Sequence, residues 1–289
     1  SGETITLTNS SGGFVDAAPA TALQTDESIG RIPNGTGSFV VIQTPTPNAI
    51  NVNGTPTITL EPPSFSQNSG FFTSSFNLSL TSNESGVTIL YTLDGSEPDE
   101  NNLAGTTYSY KNQYPKNPGD AFGTFLSQSY QTLQYSNPIT IEDRTSQPNK
   151  ISTISSTYDF VAPYIPNNPI FKGTVVRAKA VKTGANPSEV VTKTYFVSPT
   201  GNSTFVLPVV SISTNEDRLF DYNNGIYVAG TDFDQWRTNN PTDIADYEIG
   251  NFARKGSSSE RVANFSYFVN GNEVFKSDIS IRIRGNYSR

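Results

Sequence analysis

Cysteine and histidine are both absent from the 289 residues of this chain. Without cysteine there is no disulfide framework, no thiolate nucleophile and no zinc–cysteine site. Without histidine there is no Ser-His-Asp triad, no histidine-ligated metal and no histidine pH switch. These two absences exclude much of the chemistry on which enzymes depend.

Positive charge and long apolar runs are also scarce. The net charge of −7 and the pI near 4.7 disfavour binding to phosphate backbones, which needs clustered lysine and arginine. No run of about 18 apolar residues occurs, and the N-terminus lacks the basic and apolar segments of a signal peptide. We therefore expect no nucleic-acid partner and no membrane span. Methionine is missing even at position 1, which indicates a processed chain or a fragment.

What the sequence does contain is turn-rich and weakly charged. Charged residues make up 16% of the chain, and it has 22 glycines and 19 prolines among abundant Ser, Thr and Asn. This composition is typical of extracellular β domains, and the length allows two or three of them. We predict an all-β, exported protein.

Residues 1–51 contain strand and turn signals but too few strands for a stable domain. "ETITLTN" alternates apolar and polar residues, and "GSFVVIQ" is a short apolar run after a turn. "ESIGRIPNGTG" and "TPTPNAIN" resemble the closing part of bacterial lamin-tail domains, which are immunoglobulin-like sandwiches, although Asn48 stands where glycine is usual. The resemblance implies that 1–51 is the C-terminal part of such a sandwich. The proline-rich residues 52–63 are predicted to be a linker.

Residues 64–198 are predicted to form a second sandwich. The alternating runs place five apolar side chains in one core and put Arg177 and Lys179 on the opposite face; the core residues are Leu78, Ile89, Tyr91, Val176 and Ala178. "GVTILYTLDGSEPD" and "GTVVRAKAVKTGANPSEVV" resemble the C-terminal module of chitobiase and β-hexosaminidase proteins. Residues 101–168 depart from that pattern as a long insertion that holds half of the 14 tyrosines. We expect this insertion to be an accessory surface that folding does not require.

Residues 207–289 carry the most specific resemblance. "LPVVSIST", "LFDYNNGIYV" and "IRIRGNYSR" occur in the order found at the start of the CotH-type (spore coat protein H) kinase domain. The resemblance implies the N-terminal, mainly β part of an incomplete kinase-like domain whose catalytic and metal-binding acids lie beyond Arg289. We therefore expect an inactive fragment with no cofactor of its own. The parent is expected to be an atypical protein kinase that uses ATP and Mg²⁺ on a protein substrate.

Two sets of polar residues are candidate ligand sites. The final turn offers donors and a close backbone approach to a nucleotide phosphate through Arg284, Gly285, Asn286, Ser288 and Arg289. An ordinary solvent-facing turn explains the same residues. Four carboxylates are candidate calcium or other metal ligands: Asp217, Asp221, Asp232 and Asp234. Their spacing does not match an EF-hand, and helix capping is the alternative interpretation.

Aromatic residues are candidate sugar platforms, because aromatic rings stack on sugar faces. The candidates are Trp236, Tyr108, Tyr110, Tyr114, Tyr130 and Tyr135; packing within a core is the alternative for each of them.

The sequence thus predicts tandem immunoglobulin-like sandwiches followed by the start of a kinase-like domain, in a secreted or cell-surface bacterial protein. The alternative function is an adhesion or carbohydrate-binding array without catalysis, with cell-surface glycan as its partner.

Overall fold

The computed structural model describes residues 4–51, 59–154, 166–246 and 248–285. These residues contain 18 strands and two short α-helices, which confirms the predicted all-β class. The chain divides into two compact units. The first comprises the residues up to Leu60 with Lys182–Asn186, and the second comprises Glu61–Val181 with Pro187–Arg289.

The first unit contains β1 (Ile5–Thr8), β2 (Phe14–Ala18), β3 (Ser28–Ile32) and β4 (Ser38–Ile42). The second unit contains β5 (Ser64–Phe65), β6 (Gly70–Phe72), β7 (Phe76–Leu78), β8 (Leu80–Thr81), β9 (Thr88–Thr92), β10 (Thr106–Tyr110), β11 (Leu126–Tyr130), β12 (Leu133–Gln134), β13 (Ile139–Ile141), β14 (Thr174–Val181), β15 (Val191–Val197), β16 (Val209–Ser213), α1 (Glu216–Phe220), α2 (Gly230–Asn239), β17 (Arg261–Val269) and β18 (Asn272–Ile281).

The first unit consists of two antiparallel hairpins, β1–β2 and β3–β4. The alternating run "ETITLTN" supplies β1, and the apolar run "GSFVVIQ" supplies β4, as predicted. Arg31 joins the hairpins, because its Nε and Nη2 donate to the two carboxylate oxygens of Asp16 at 2.9 and 2.5 Å. The Arg31 guanidinium also lies 4.2 Å from the ring centroid of Phe39.

A β-sandwich forms the centre of the second unit. Strands β12, β9, β14, β15 and β6 are neighbours in one sheet, and the pairs β7–β13 and β5–β8 supply the opposing layer. The core between the layers consists of Leu78, Leu80, Ile89, Ile139, Ile141, Val176, Ala178, Tyr195 and Val197. The predicted core is thereby confirmed: four of its five residues are buried in this cluster, and Tyr91 packs against it.

The sheet continues from the sandwich into the C-terminal segment. Gly70 of β6 pairs with Tyr195 of β15 on one side and with Asn272 of β18 on the other. The resulting sheet has eight strands in the order β12-β9-β14-β15-β6-β18-β17-β16. The predicted domain boundary between residues 198 and 207 therefore lies between strands of one sheet.

This sheet folds back on itself. Ser211 of β16 lies 3.1 Å from Thr194 of β15 through their hydroxyl oxygens, and the Phe268 and Phe196 rings lie 5.4 Å apart. These strands are far apart in the sheet order, so β16 and β17 must cover the outer face of β15. Arg177 projects from that same outer face, as its alternation with Val176 and Ala178 predicts. It is buried, with its Nε donating to the Thr192 hydroxyl at 3.2 Å.

The tyrosine-rich insertion differs from the prediction. Two of the strands inside residues 101–168 belong to the sandwich: β12 pairs with β9, and β13 brings Ile139 and Ile141 into the core. The added element is the antiparallel hairpin β10–β11. Tyr108, Tyr110 and Tyr130 from this hairpin form a buried cluster with Phe220 and Val228. The described part of the insertion, residues 101–154 and 166–168, thus contributes to the folded core and is not an accessory surface.

Candidate functional site

Most of the candidate sugar-binding tyrosines are buried. Tyr108, Tyr110 and Tyr130 lie in the cluster beside α1, and Tyr114 lies in a second cluster with Phe233. All four are at most 7% exposed. A sugar platform needs an open ring face, and the neighbouring side chains cover these rings. The alternative interpretation, packing within a core, describes these four residues.

The two remaining aromatic candidates are half-buried. The ring of Tyr135 lies 6.2 Å from Tyr91 and packs against the sandwich core. The ring of Trp236 lies 6.0 Å from Phe233 and 4.8 Å from the guanidinium of Arg237. The two residues belong to different clusters, so the fold does not bring the six aromatic candidates together as one platform.

The candidate metal ligands Asp232 and Asp234 are occupied by protein cations. The Nε and Nη2 of Arg254 donate to the two oxygens of Asp232 at 2.8 and 2.7 Å. Asp234 forms an ion pair with Lys111. Each of these two carboxylates thus already has a cationic partner in the protein.

The other two candidates, Asp217 and Asp221, line an open groove of about 460 Å³ together with Arg218 and Arg261. One oxygen of Asp221 accepts from the backbone N–H groups of Asn223 and Asn224 at 3.0 and 2.8 Å, an arrangement that closes a turn. Within residues 4–51, 59–154, 166–246 and 248–285, no three carboxylates come close enough to share a metal ion.

The candidate nucleotide turn is described only in part. Strand β18 ends at Ile281, and Arg284 follows it as an exposed residue. Gly285 has a φ of 146°, which favours glycine. Asn286, Ser288 and Arg289 lie outside the described residues.

A cavity of about 200 Å³ lies where the sandwich meets α1. Its polar walls carry Arg144, Lys150 and Lys172, with Glu216 at one side. The lysines are already engaged: Lys150 donates to the Ser129 carbonyl at 2.5 Å, and Lys172 donates to the Ile170 carbonyl at 2.9 Å. Lys150 thereby contacts β11, and Lys172 contacts a carbonyl of its own loop just before β14.

Glu216 is a buried carboxylate that the sequence analysis did not select. Its two oxygens accept from Lys150 at 2.7 Å and from the Tyr108 hydroxyl at 3.0 Å. Burial raises the pKa of Glu216 above its ordinary value, and the hydrogen bond from Lys150 opposes the rise. Burial also raises the pKa of Tyr108, and the nearby Glu216 charge adds to it. Lys150 is 66 residues away in sequence, so no local pattern marks this pair.

Lys111 and Asp234 form a second buried polar cluster. Lys111 directly follows β10, and Asp234 lies in α2. The Nζ atom of Lys111 donates to Oδ2 of Asp234, and the Tyr222 hydroxyl donates to the same oxygen at 2.6 Å. The other oxygen, Oδ1, is buried and has no hydrogen-bond partner. Burial raises the pKa of Tyr222, and the hydrogen bond to Asp234 adds to the rise.

Comparison with known proteins identifies one part of this structure. A family model described as "Fn3 associated" matches residues 78–195, which is less than half of the chain. The match begins at the end of β7 and ends in β15, so it covers the sandwich strands after β6 together with the inserted hairpin. Neither the curated proteins nor the solved structures contain a match. Residues 78–195 are therefore a β-sandwich module within a chain of more than one unit.

None of the helices in the described parts of the chain is long and apolar enough to cross a membrane.

Proposed function

We propose that this chain is a non-catalytic part of an exported bacterial protein whose parent resembles the CotH-type atypical kinases. In this proposal the sandwich module is a rigid support that holds the kinase-like segment in a fixed position. The observation that carries the proposal is the shared sheet: β6 joins β15 of the sandwich to β18 of the C-terminal segment. Two modules connected only by a flexible linker would not share backbone hydrogen bonds.

The three motifs of the CotH resemblance occupy elements that are packed together. "LPVVSIST" supplies β16, and "LFDYNNGIYV" supplies the end of α1 and the buried residues Ile226 and Val228. "IRIRG" begins at the last residue of β18. Val228 packs with the tyrosines of the inserted hairpin, so the second motif has a structural role against the sandwich module.

The outward face of β16–β18 supports a role within a larger assembly. Val210, Tyr267 and Phe275 are aligned across the three strands, because the register pairs Val210 with Tyr267 and Tyr267 with Phe275. Val210 and Phe275 are 48% and 56% exposed. Ile212 extends the same face and is also exposed. An exposed group of apolar side chains is typical of an interaction surface.

ATP and Mg²⁺ belong to the proposed parent and not to this chain. Phosphoryl transfer needs carboxylates that hold the metal and orient the acceptor hydroxyl. The resemblance places these groups beyond Arg289, and the four aspartates selected from the sequence are engaged in ion pairs and turns or line an open groove.

The proposal is tested by incubating the purified chain with ATP and Mg²⁺ or Mn²⁺ and measuring phosphate release and autophosphorylation. We expect neither above the level without protein, and sustained turnover would contradict the non-catalytic role. Screening the same chain on immobilised bacterial glycans tests the adhesive alternative. Glycan binding that is lost in Trp236→Ala and kept in Tyr227→Ala, a change at an exposed aromatic outside the candidate set, would favour that alternative.

A further inference from the structure

The Lys111–Asp234 pair has the geometry of an amide-forming site, and the inference from it is independent of the proposed function. The two side chains are only 8% and 15% exposed, although both carry ionisable groups. The amine nitrogen contacts Oδ2 of the carboxylate, so the two reacting groups are already adjacent. Holding two reacting groups in contact removes much of the entropic cost of a two-group reaction.

Aromatic rings surround the amine. The Nζ atom of Lys111 lies 4.7 Å from the ring centroid of Phe125, 5.1 Å from that of Tyr222 and 5.6 Å from that of Phe122. The rings of Phe125 and Tyr222 contact each other edge to face at 4.9 Å. Such surroundings remove water from the amine, although the cation–π attraction also favours the ammonium form, which must lose a proton before it can attack. Exclusion of water favours condensation of an amine with a carboxylate, because water is the product.

The two oxygens of the Asp234 carboxylate differ in their hydrogen bonds. Oδ2 accepts from both Lys111 and Tyr222, whereas Oδ1 is buried without a partner. A buried carboxylate oxygen without a donor costs free energy as long as the group is charged. Transfer of one proton from the ammonium to the carboxylate leaves both groups neutral. It also produces the neutral amine that nucleophilic attack requires.

We propose that Lys111 and Asp234 form an intramolecular isopeptide bond. After proton transfer, the Nζ atom of Lys111 attacks Cγ of Asp234 and forms a carbon–nitrogen bond. The bond from Cγ to Oδ2 breaks, and Oδ2 leaves as water with two of the three ammonium protons. The third proton remains on the amide nitrogen. An ammonium and a carboxylate thus become one amide and one water, so the step needs no oxidant, reductant or cofactor.

Tyr222 is the positioning residue and proton relay for this step. Its hydroxyl donates to the leaving oxygen, so it lowers the cost of breaking the Cγ–Oδ2 bond. Its backbone N–H donates to the carbonyl of Ser109 in β10 at 2.7 Å, and this hydrogen bond fixes Tyr222 beside Lys111. The bond would connect positions that are 123 residues apart, in a chain that contains no cysteine for a disulfide.

Intact-mass spectrometry of the full chain, unfolded just before measurement, tests the proposal. We expect a mass lower than the sequence mass by one molecule of water. After proteolysis, we expect a branched peptide that joins the Lys111 and Asp234 segments. Lys111→Arg keeps the positive charge but removes the reacting amine, so it should restore the full sequence mass. Lys150→Arg changes the lysine that pairs with the buried Glu216 and should keep the deficit.

Tyr222→Phe tests the proton relay independently of the reacting pair Lys111 and Asp234. This variant keeps both reacting groups, and we expect the deficit to develop at least tenfold more slowly after refolding than in the unchanged chain. Asp94-Gly95 also loses water if it closes to a succinimide, and that deficit would persist in Lys111→Arg. A full sequence mass after prolonged incubation of the folded chain, or a deficit that Lys111→Arg retains, would overturn the proposal.

Discussion

At the scale of single residues, Glu216 makes the stability of the fold depend on pH. It lies at the first position of α1 and contacts Tyr108 and Lys150. Tyr108 belongs to the first strand of the inserted hairpin, and Lys150 follows the hairpin in the chain. The pKa of Glu216 is raised above the ordinary value of 4.5, first by burial. The folded protein therefore holds this proton more tightly than the unfolded chain does. The stabilisation that the protonated Glu216 carboxyl gives to the folded state is fully present below pH 4.5 and is lost as the pH rises through the raised folded pKa.

Glu216→Gln tests this pH dependence. The glutamine keeps the size of the side chain but does not titrate. We expect the unfolding free energy of the unchanged chain, relative to that of the variant, to fall as the pH is raised from 4.5 towards neutrality. Urea unfolding at several pH values measures the difference. Glu189→Gln, at an exposed position, is the matched control. A difference that stays constant over this range would contradict the raised pKa.

At the scale of elements, the hairpin β10–β11 organises the helical part of the second unit. Its tyrosines pack against Phe220 of α1 and Val228, and Tyr114 packs against Phe233 of α2. The Tyr114 hydroxyl also accepts a hydrogen bond from the backbone N–H of Gly230 at 3.0 Å, at the start of α2. Helices of this length are marginal by themselves and depend on packing for their stability.

Replacing residues 104–131 with a short Gly-Ser connector should therefore release α1 and α2. The ends to be joined are close, because the N–H of Thr132 donates to the carbonyl of Asn102 at 3.0 Å. We expect amides of 216–239 to lose hydrogen-exchange protection, whereas amides of β9 and β14 keep it because the sandwich core is untouched. Phe14→Ala, in the first unit, is the control for loss of an exposed aromatic residue. Full protection of 216–239 in the connector variant would show that the helices fold without the hairpin.

At the scale of the whole molecule, we expect the sandwich and the C-terminal segment to behave as one cooperative unit, because they share a sheet. Phe196 of β15 packs against Phe268 of β17, and Phe71 of β6 contacts both rings. The interface thus combines strand pairing with buried aromatic area. We expect this part of the protein to unfold in a single transition.

Ile89→Ala tests whether destabilising the sandwich core also destabilises the C-terminal segment. Ile89 lies in the sandwich core, and its truncation should destabilise the second unit by about 2–5 kcal/mol, as for other large-to-small core changes. If the unit is cooperative, amides of β17 should lose protection together with amides of β14 in hydrogen exchange. Val206→Ala, at a position that is 98% exposed, is the control. If the amides of β17 kept their protection while those of β14 lost it, the sandwich and the C-terminal segment would unfold independently.

The sequence by itself determined the local features of this protein. Alternation of apolar and polar residues depends only on neighbours along the chain, so it correctly predicted strands such as β1 and β9 and the core residues Leu78, Ile89 and Val176. It also correctly placed Arg177 on the opposite face of β14. The absence of cysteine and histidine follows from the composition alone.

Only the tertiary structure decided how distant segments meet. Whether Tyr108 and Tyr114 face solvent or a core depends on α1 and α2, which lie about a hundred residues later in the chain. The pairing of Asn272 with Gly70 joins two predicted domains into one sheet, and no local pattern encodes it. The Lys111–Asp234 contact spans 123 residues for the same reason. Side-chain alternation fixes which face of a strand is apolar, but the partner of that face is chosen by packing across the whole fold.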